Sequence, residues 1–433
     1  MTPQANIMVV APIIAGREAE LRRLLASMNR EPGVADPDNP LVPFGKITTL
    51  HFARFVVLED KTREDLLVYG APLPNAINSL AFLCDCDGTA DALRRDLVSH
   101  AEAGLRQIFS FCTSFQSGTD LLRWMEEHEQ TAATTYNNWL GRTAQQVREE
   151  EALRKALDLR LQKKATTGWN ARQVWEELRA FVADEKAARR LTLTPAARTP
   201  LSWSIKNLLD CVGVPLLLLL LSPILLLYLP IFLIQLRIHE LNDPVIAPRP
   251  STEHAKALAV IEDRVITNQF SAYGNIKPGL FRRWTLAFLL FAVEYTTRHI
   301  YNRGFLARVN TIHFARWVFL DNRTRLFFAS NYDGGLETYM GDFINKVAWG
   351  LNIVFSNGVG YPKTNWLVMD GAKDELTFKD FLRRHQLPTD VWYDAAPGIT
   401  AFDMERNSRI RDGIEQESMT DDELSEWIKL FDF

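Results

Sequence analysis

The sequence predicts an α+β fold in which one unit is written twice, with a helical insertion and an apolar membrane segment between the copies. Three observations carry that prediction. LHFARFVVLED at residues 50 to 60 returns as IHFARWVFLDN at residues 312 to 322. Around both stretches, short β-branched or aromatic runs alternate with longer segments whose apolar residues recur at helical spacing. Finally, CVGVPLLLLLLSPILLLYLPIFLIQL, residues 211 to 236, contains no charged residue.

In the first copy, residues 1 to 145, IMVVAPII reads as a strand and EAELRRLLASM as a helix. ITTLHFARFVVL and LAFLCDCD are two further strands. TADALRRDLVSHAEAGLRQIF is a helix opened by Thr89, with Asp91 in its first turn. Residues 146 to 264 form the insertion. There VREEEALRKALDLRLQKK places Leu153, Leu157 and Leu161 four residues apart, an amphipathic helix packed against the rest of the chain, and TLTPAARTP is a linker. The second copy, residues 265 to 433, runs NQFSAYGNI, LFRRWTLAFLLFAVEY, VNTIHFARWVFL, RLFFASNYD and DFINKVAWGLNIVF, with TNWLVMDG as closing strand. This is the βαββαβ order of a ferredoxin-like unit. The tail QESMTDDELSEWIKLFDF predicts a short helix with Thr420 and Glu423 as a capping box, docked on its own domain.

Sliding the chain on itself by roughly 260 residues aligns Asn6 with Asn268, His51 with His313, Ala53 with Ala315 and Arg54 with Arg316. With small gaps Asp87-Gly88 falls on Asp333-Gly334, Gly104-Leu105 on Gly350-Leu351 and Phe109 on Phe355. Beyond these, His128, Tyr136, Gly141, Thr143 and Ala144 match His385, Tyr393, Gly398, Thr400 and Ala401. An ordered series of this length predicts a tandem duplication whose two sheets pack together or form two independent domains.

Composition narrows the function classes. Hydrophobic residues at 47% and charged residues at 24% belong to a folded chain, and a net charge of -4 provides no basic field for nucleic acid. Cys84, Cys86, Cys112 and Cys211 form no CxxC pair, so neither a zinc finger nor a disulfide framework is expected, and a reducing compartment fits. MTPQANIMVVAPII has no basic region before its apolar run and reads as a strand rather than a signal peptide. Gly-rich phosphate loops and a Ser-His-Asp order are not visible, which argues against nucleotide and serine hydrolysis.

The uncharged run exceeds the roughly 18 residues that mark a membrane candidate. Pro215, Pro223 and Pro230 interrupt it. If the two copies associate, residues 145 and 265 lie on one side of the bilayer, and 26 residues cannot cross it twice. The expectation is therefore a re-entrant or monotopic hairpin broken near Pro223. A kinked single crossing applies if the copies stay apart. Trp203, Lys206, Arg237 and His239 supply interfacial anchors, and Lys and Arg on both flanks place both ends in the cytoplasm. Membrane lipid is thus the expected partner, with the repeats on the cytoplasmic side and the oligomeric state open.

By element order and duplication, over residues of about 1 to 145 and 265 to 433, the chain resembles the dimeric α+β barrel superfamily. The tandem form is similar to dye-decolourising peroxidases and chlorite dismutase-like haem proteins, whose haem sits in the C-terminal unit. Of the peroxidase Gly-x-x-Asp-Gly loop, CDCDG and NYDGG retain only Asp-Gly. The resemblance implies an oxidoreductase in which His313 or His299 ligates haem iron, Asp333 is acid-base for a bound peroxide and Arg316 stabilises negative charge, acting on a lipophilic substrate.

The residues themselves support blander roles as well. Alternation puts Thr311, His313, Ala315 and Trp317 on one face and Ile312, Phe314, Arg316 and Val318 on the other, so His313 and Arg316 share a pocket only across a bulge. The apolar-face argument turns His313 toward the space between sheets and leaves Arg316 to pair with a carboxylate. Asp333 is placed to accept helix N-terminal N–H groups, and His128 and His385 sit at helix C-termini, where the dipole favours imidazolium. Only the second copy has Trp317, Asn331, Tyr332 and Tyr339 near these sites. The alternative function is a non-catalytic membrane-anchored module that binds a lipophilic ligand or a partner protein.

Overall fold

The alternating run that opens the chain forms β1 (Gln4–Pro12), and the helix after it, α1 (Glu18–Ala26), buries Leu21 and Leu25. The computed structural model describes residues 2–164, 168–301 and 309–431. Two short strands, β2 (Asn29–Glu31) and β3 (Val34–Ala35), precede β4 (Leu50–Leu58) and β5 (Ser79–Asp87). Thr89 then caps α2 (Ala90–Phe109), its hydroxyl accepting from the Ala92 N–H at 3.2 Å. The first half ends with α3 (Leu121–Glu127) and β6 (Thr134–Asn137). The insertion is helical: α4 (Ala144–Lys163), α5 (Ala171–Ala187), α6 (Leu201–Asn242) and α7 (Thr252–Ala259). The second half comprises β7 (Thr267–Asn275), α8 (Leu280–His299), β8 (Ile312–Leu320), β9 (Arg325–Asp333), α9 (Leu336–Phe355), β10 (Thr364–Asn365), β11 (Met369–Asp370), α10 (Glu375–His385), β12 (Thr389–Asp394), α11 (Ala401–Glu415) and α12 (Asp421–Ile428).

These elements build a mixed α+β protein with two main sheets and one long apolar helix. One sheet runs β1-β5-β4-β12-β3-β2 and the other β6-β8-β9-β7. Each sheet contains a strand from the other half of the chain. β6 pairs with β8, Tyr136 opposite Ala315, and β12 pairs with β4, Tyr393 opposite Ala53. The sheets face each other, Met8, Val56 and Leu83 of one meeting Val318, Phe327 and Ala329 of the other. On the far side of the six-stranded sheet, Phe55, Phe82, Phe109 and Trp124 form a continuous aromatic core under α2 and α3. A smaller core joins Leu153 and Leu157 of α4 to α5, α11 and α12, so the tail helix with its Thr420–Glu423 capping box docks on its own chain.

Two expectations fail for local reasons. TNWLVMDG does not close a sheet: Trp366 and Leu367 adopt φ of 52° and 67°, left-handed values that turn the chain and leave only the β10–β11 hairpin. The closing strand is instead β12. Nor does the apolar segment break near Pro223, because α6 is continuous from Leu201 to Asn242 through all three prolines. Each proline frees the carbonyl four residues before it. The Leu219 carbonyl freed by Pro223 accepts from Ser222 Oγ at 2.7 Å, and the Cys211 carbonyl freed by Pro215 accepts from Tyr295 Oη at 3.0 Å. With those groups satisfied, continuing the helix leaves fewer bare polar atoms than ending it in apolar surroundings. By length and composition α6 is sufficient to cross a membrane, and its apolar stretch is uncovered by protein.

Candidate functional site

The repeated histidines owe their orientation to bulges. In β4 the pairing with β5 slips between Leu50 and Phe52, and in β8 the pairing with β9 slips between Ile312 and Phe314. His51 and His313 are therefore the extra residues, turned out of strict alternation. His313 Nε2–H donates to Asp333 Oδ1 at 2.7 Å, while Asp333 Oδ2 accepts from the Ala401 N–H at 2.7 Å. Asp333 thus serves a helix N-terminus as expected, but that of α11 rather than of α9. His51 Nε2, Asp87 and the Ala144 N–H at the start of α4 repeat the arrangement at 2.9 and 2.8 Å. Gly88 and Gly334 follow the carboxylates with φ of 88° and 82°, a turn that glycine makes without strain.

Burial alone would lower the His313 pKa, but the charge and hydrogen bond of Asp333 prevail and raise it above the ordinary imidazole value. Asp394, which lines the same small space as His51 and His313, is pushed up to about 6 by burial, partly opposed by the Ala396 N–H and the two histidines. Asp394 was missed in the sequence because its role depends on β12 entering the other half's sheet.

His313 faces the space between the sheets as expected, edge-on to Phe52 of β4, but the rest of its strand face does not follow it. Phe314, Arg316 and Val318 point between the sheets, whereas Ala315 and Trp317 point toward the helices. Arg316 does find a carboxylate, Asp85 of the opposite sheet, and also donates to the carbonyls of Ile7 (2.7 Å) and Cys84 (2.9 Å). Arg54 reaches the other way, to the carbonyls of Phe270 (2.9 Å) and Ser330 (3.2 Å), Ser271 Oγ and Asn331 Oδ1. Two buried guanidiniums therefore share one facing carboxylate. Burial lowers the Arg54 pKa to about 9, with Asp85 opposing and Arg316 reinforcing the effect. Asn331 Nδ2, nearby, has no hydrogen-bond partner.

His128 and His385 form matching caps. Each Nδ1–H donates to the carbonyl four residues earlier, at 2.9 and 2.8 Å, and each ring lies on an aromatic, Trp124 or Phe381. Burial lowers the His385 pKa, so the dipole does not hold that ring as imidazolium.

The space able to hold a molecule lies elsewhere, between the four-stranded sheet and α8 and α9. It has a volume of about 240 Å³ and an almost wholly apolar wall, including Ala292, Val293, Ala315, Phe328 and Phe343. Trp317 and Tyr339, both from the second half, line it. Tyr339 Oη is bonded to Ser330 Oγ at 2.7 Å, whereas Trp317 Nε1 has no partner. The wall thus offers a greasy surface with little polar area.

Neither expected ligand suits haem. His313 Nε2 is committed to Asp333, and the space beside the ring is about 20 Å³, far smaller than a macrocycle. His299 lies tilted against Tyr295 at the end of α8 and is absent from the wall of the large cavity. Asp333 and Arg316 are bound into separate hydrogen-bond sets rather than converging on one reacting atom. Among the described residues, no three His, Cys, Asp or Glu side chains are placed to hold a metal ion. No protein-family model, curated protein or solved structure matches the chain.

Proposed function

We propose that the chain is a membrane-associated binding module whose second half takes a small lipophilic ligand in the cavity under the four-stranded sheet. The observation that carries this reading is the cavity itself: its wall is almost wholly apolar, and α8 forms one side while exposing Trp284, Phe288 and Phe291 outward. A ligand with an apolar body fits that wall. The volume, just under the ~300 to 1,000 Å³ of ordinary ligand sites, favours a compact one.

The frame is read as a tandem duplication of a ferredoxin-like unit, closed into an intramolecular α+β barrel by exchange of the last strands. Support comes from features that the fold has no need to write twice. The bulges at His51 and His313 match, as do the His–Asp–helix contacts, and α2 and α9 depart from helical geometry at the equivalent residues Ala101 and Val347. Register refines one equivalence: Asn6 lies opposite Asp85 and Gln269 opposite Asn331, so Asn6 matches Gln269 rather than Asn268. On this reading the shared His, Arg and Asp-Gly residues serve the fold.

The test is titration of a fluorescent polyene fatty acid into the full chain in lipid nanodiscs. Saturable one-to-one binding is expected, weakened at least tenfold by Ala292→Phe, which fills the cavity, with the urea midpoint unchanged. Equal affinity of this variant and the parent would overturn the assignment.

A further inference from the structure

The path of α6 decides how it meets a bilayer. The chain leaves the four-stranded sheet after β6 and returns to it at β7, and these strands are the two edges of that one sheet. A single crossing between them would place the edges of one hydrogen-bonded sheet on opposite sides of the membrane. The uncharged run of α6 is also fastened to the second half on both sides. At one end Tyr295 Oη holds the Cys211 carbonyl and Arg298 pairs with Asp210 at 3.4 Å. At the other, His239 stacks on Phe281 at 4.8 Å, and the buried Glu240 carboxylate accepts from Thr364 Oγ1 (3.0 Å), the Trp366 N–H (2.9 Å) and the Leu367 N–H (2.7 Å). Because Cys211 meets the end of α8 and Phe232 its beginning, the two helices run antiparallel along the same side of the molecule.

Between those fastenings α6 is exposed and apolar, and α8 adds an exposed stripe at Leu280, Trp284, Phe288 and Phe291, spaced for one helical face. Trp349 of α9 is exposed nearby, at the edge of the cavity wall. The stretch of α6 between Cys211 and Glu240 is about 44 Å long at 1.5 Å per residue. That exceeds a bilayer's hydrocarbon thickness, yet its two ends dock on one folded body.

We infer that α6 and the outer stripe of α8 form a one-leaflet docking surface for a lipid bilayer, with α6 lying along the membrane rather than across it, and that the cavity takes its ligand from that leaflet. The inference rests on the membrane association proposed above and adds orientation and ligand source. An uncharged 26-residue run flanked by Trp203, Lys206 and Arg237 matches the chemistry of hydrocarbon bounded by headgroups, which a second protein surface would not require.

The experiment reconstitutes the full chain into phosphatidylcholine vesicles, in a Cys211→Ser background bearing Leu201→Cys and Leu241→Cys, both at exposed positions. A membrane-impermeant maleimide is added before lysis and products are read by intact mass; Cys84, Cys86 and Cys112 are buried and stay unlabelled. Molecules carrying both labels or neither are expected. A population carrying one label each, in protein that floats with the vesicles, means α6 crosses and overturns this inference while membrane association stands. Protein that fails to float overturns both. A fluorophore at Leu220→Cys should be quenched by nitroxides near the headgroup more than by nitroxides at the chain ends, and the opposite order would also refute the one-leaflet placement.

Discussion

Two buried guanidiniums facing one carboxylate make a sharp test of the proposed internal duplication. Asp85→Asn removes the carboxylate that Arg54 and Arg316 share and leaves two uncompensated charges between the sheets. Breaking a buried pair in this way costs about 3 to 5 kcal/mol. Asn331 occupies the same register position in the other sheet, facing Arg54, and its Nδ2 has no partner to lose. Asn331→Asp adds a second carboxylate whose attraction to Arg54, about 4 kcal/mol at 4 Å and an effective dielectric near 20, is offset by a desolvation cost of similar size. This single variant should stay within about 1 kcal/mol of the parent, the limit that near-cancellation sets. The double variant moves the one carboxylate to the equivalent place in the opposite sheet. It should recover at least 2 kcal/mol of the Asp85→Asn loss, a coupling well inside the range seen for residues in one network. Urea unfolding followed by tryptophan fluorescence in mild detergent, with the m value checked for constancy, measures all three. If the double variant is as unstable as Asp85→Asn alone, the two positions are not interchangeable and the argument from symmetry fails.

Three further outcomes follow from the geometry. Asp394 and His313 both bind protons more tightly folded than unfolded, so stability falls as pH rises, from 3.8 through about 6 for Asp394 and from 6.5 upward for His313. Asp394→Asn should flatten the lower part of a stability-against-pH curve and His313→Gln the upper part; an unchanged slope in either window counts against that assignment. A Cβ on Gly104 would lie 2.0 Å from the Leu41 carbonyl oxygen, a backbone atom, whereas at the equivalent Gly350 it meets only Val347 Cγ1 at 3.1 Å. Gly104→Ala should therefore lower the urea midpoint severely and Gly350→Ala only slightly, and equal effects would contradict the packing. Hemin added to the purified protein should produce no Soret band that responds to His313→Ala, and a stoichiometric band lost in that variant would restore the haem reading.

How much of this was visible in the sequence depends on the range of the determining interaction. Thr89, Thr420 and the leucines of α4 act through neighbours three or four residues away, so their caps and buried faces follow directly from spacing. The partner of a closing strand does not. The alternation in TDVWYD specifies a strand, but nothing within six residues says which of two similar sheet edges it joins. The face of Arg316 is not legible because its strand neighbours Ile312, Phe314 and Val318 are apolar enough to read as the side that packs on helices. Here the guanidinium is satisfied by carbonyls of the opposite sheet, which exist only after the sheets meet. The bulge at His313 rests on a single extra residue, and two of the three carbonyls freed by the prolines of α6 are satisfied by hydroxyls, one of them 84 residues away.

The matched and unmatched residues divide the labour. His51 and His313, and Asp87 and Asp333, make the same contacts in both halves, Arg54 and Arg316 each reach carbonyls of the facing sheet, and a residue needed twice for the frame is poorly placed to carry chemistry in only one half. Function is better sought where the halves differ. The first half covers its sheet with the nine-residue α1, whose outward face is charged, and fills the core beneath with Phe55, Phe82, Phe109 and Trp124. In the same place the second half sets the twenty-residue, largely apolar α8, and beneath it a cavity of about 240 Å³ remains among the aromatic side chains Phe270, Trp317, Phe328 and Tyr339. The helix that leaves the cavity unfilled is also the one that runs beside α6 and exposes an apolar stripe. Ligand space and membrane surface are thus two faces of one element, so substitutions on the outer stripe of α8 that weaken vesicle binding should leave the affinity for a ligand presented in solution intact.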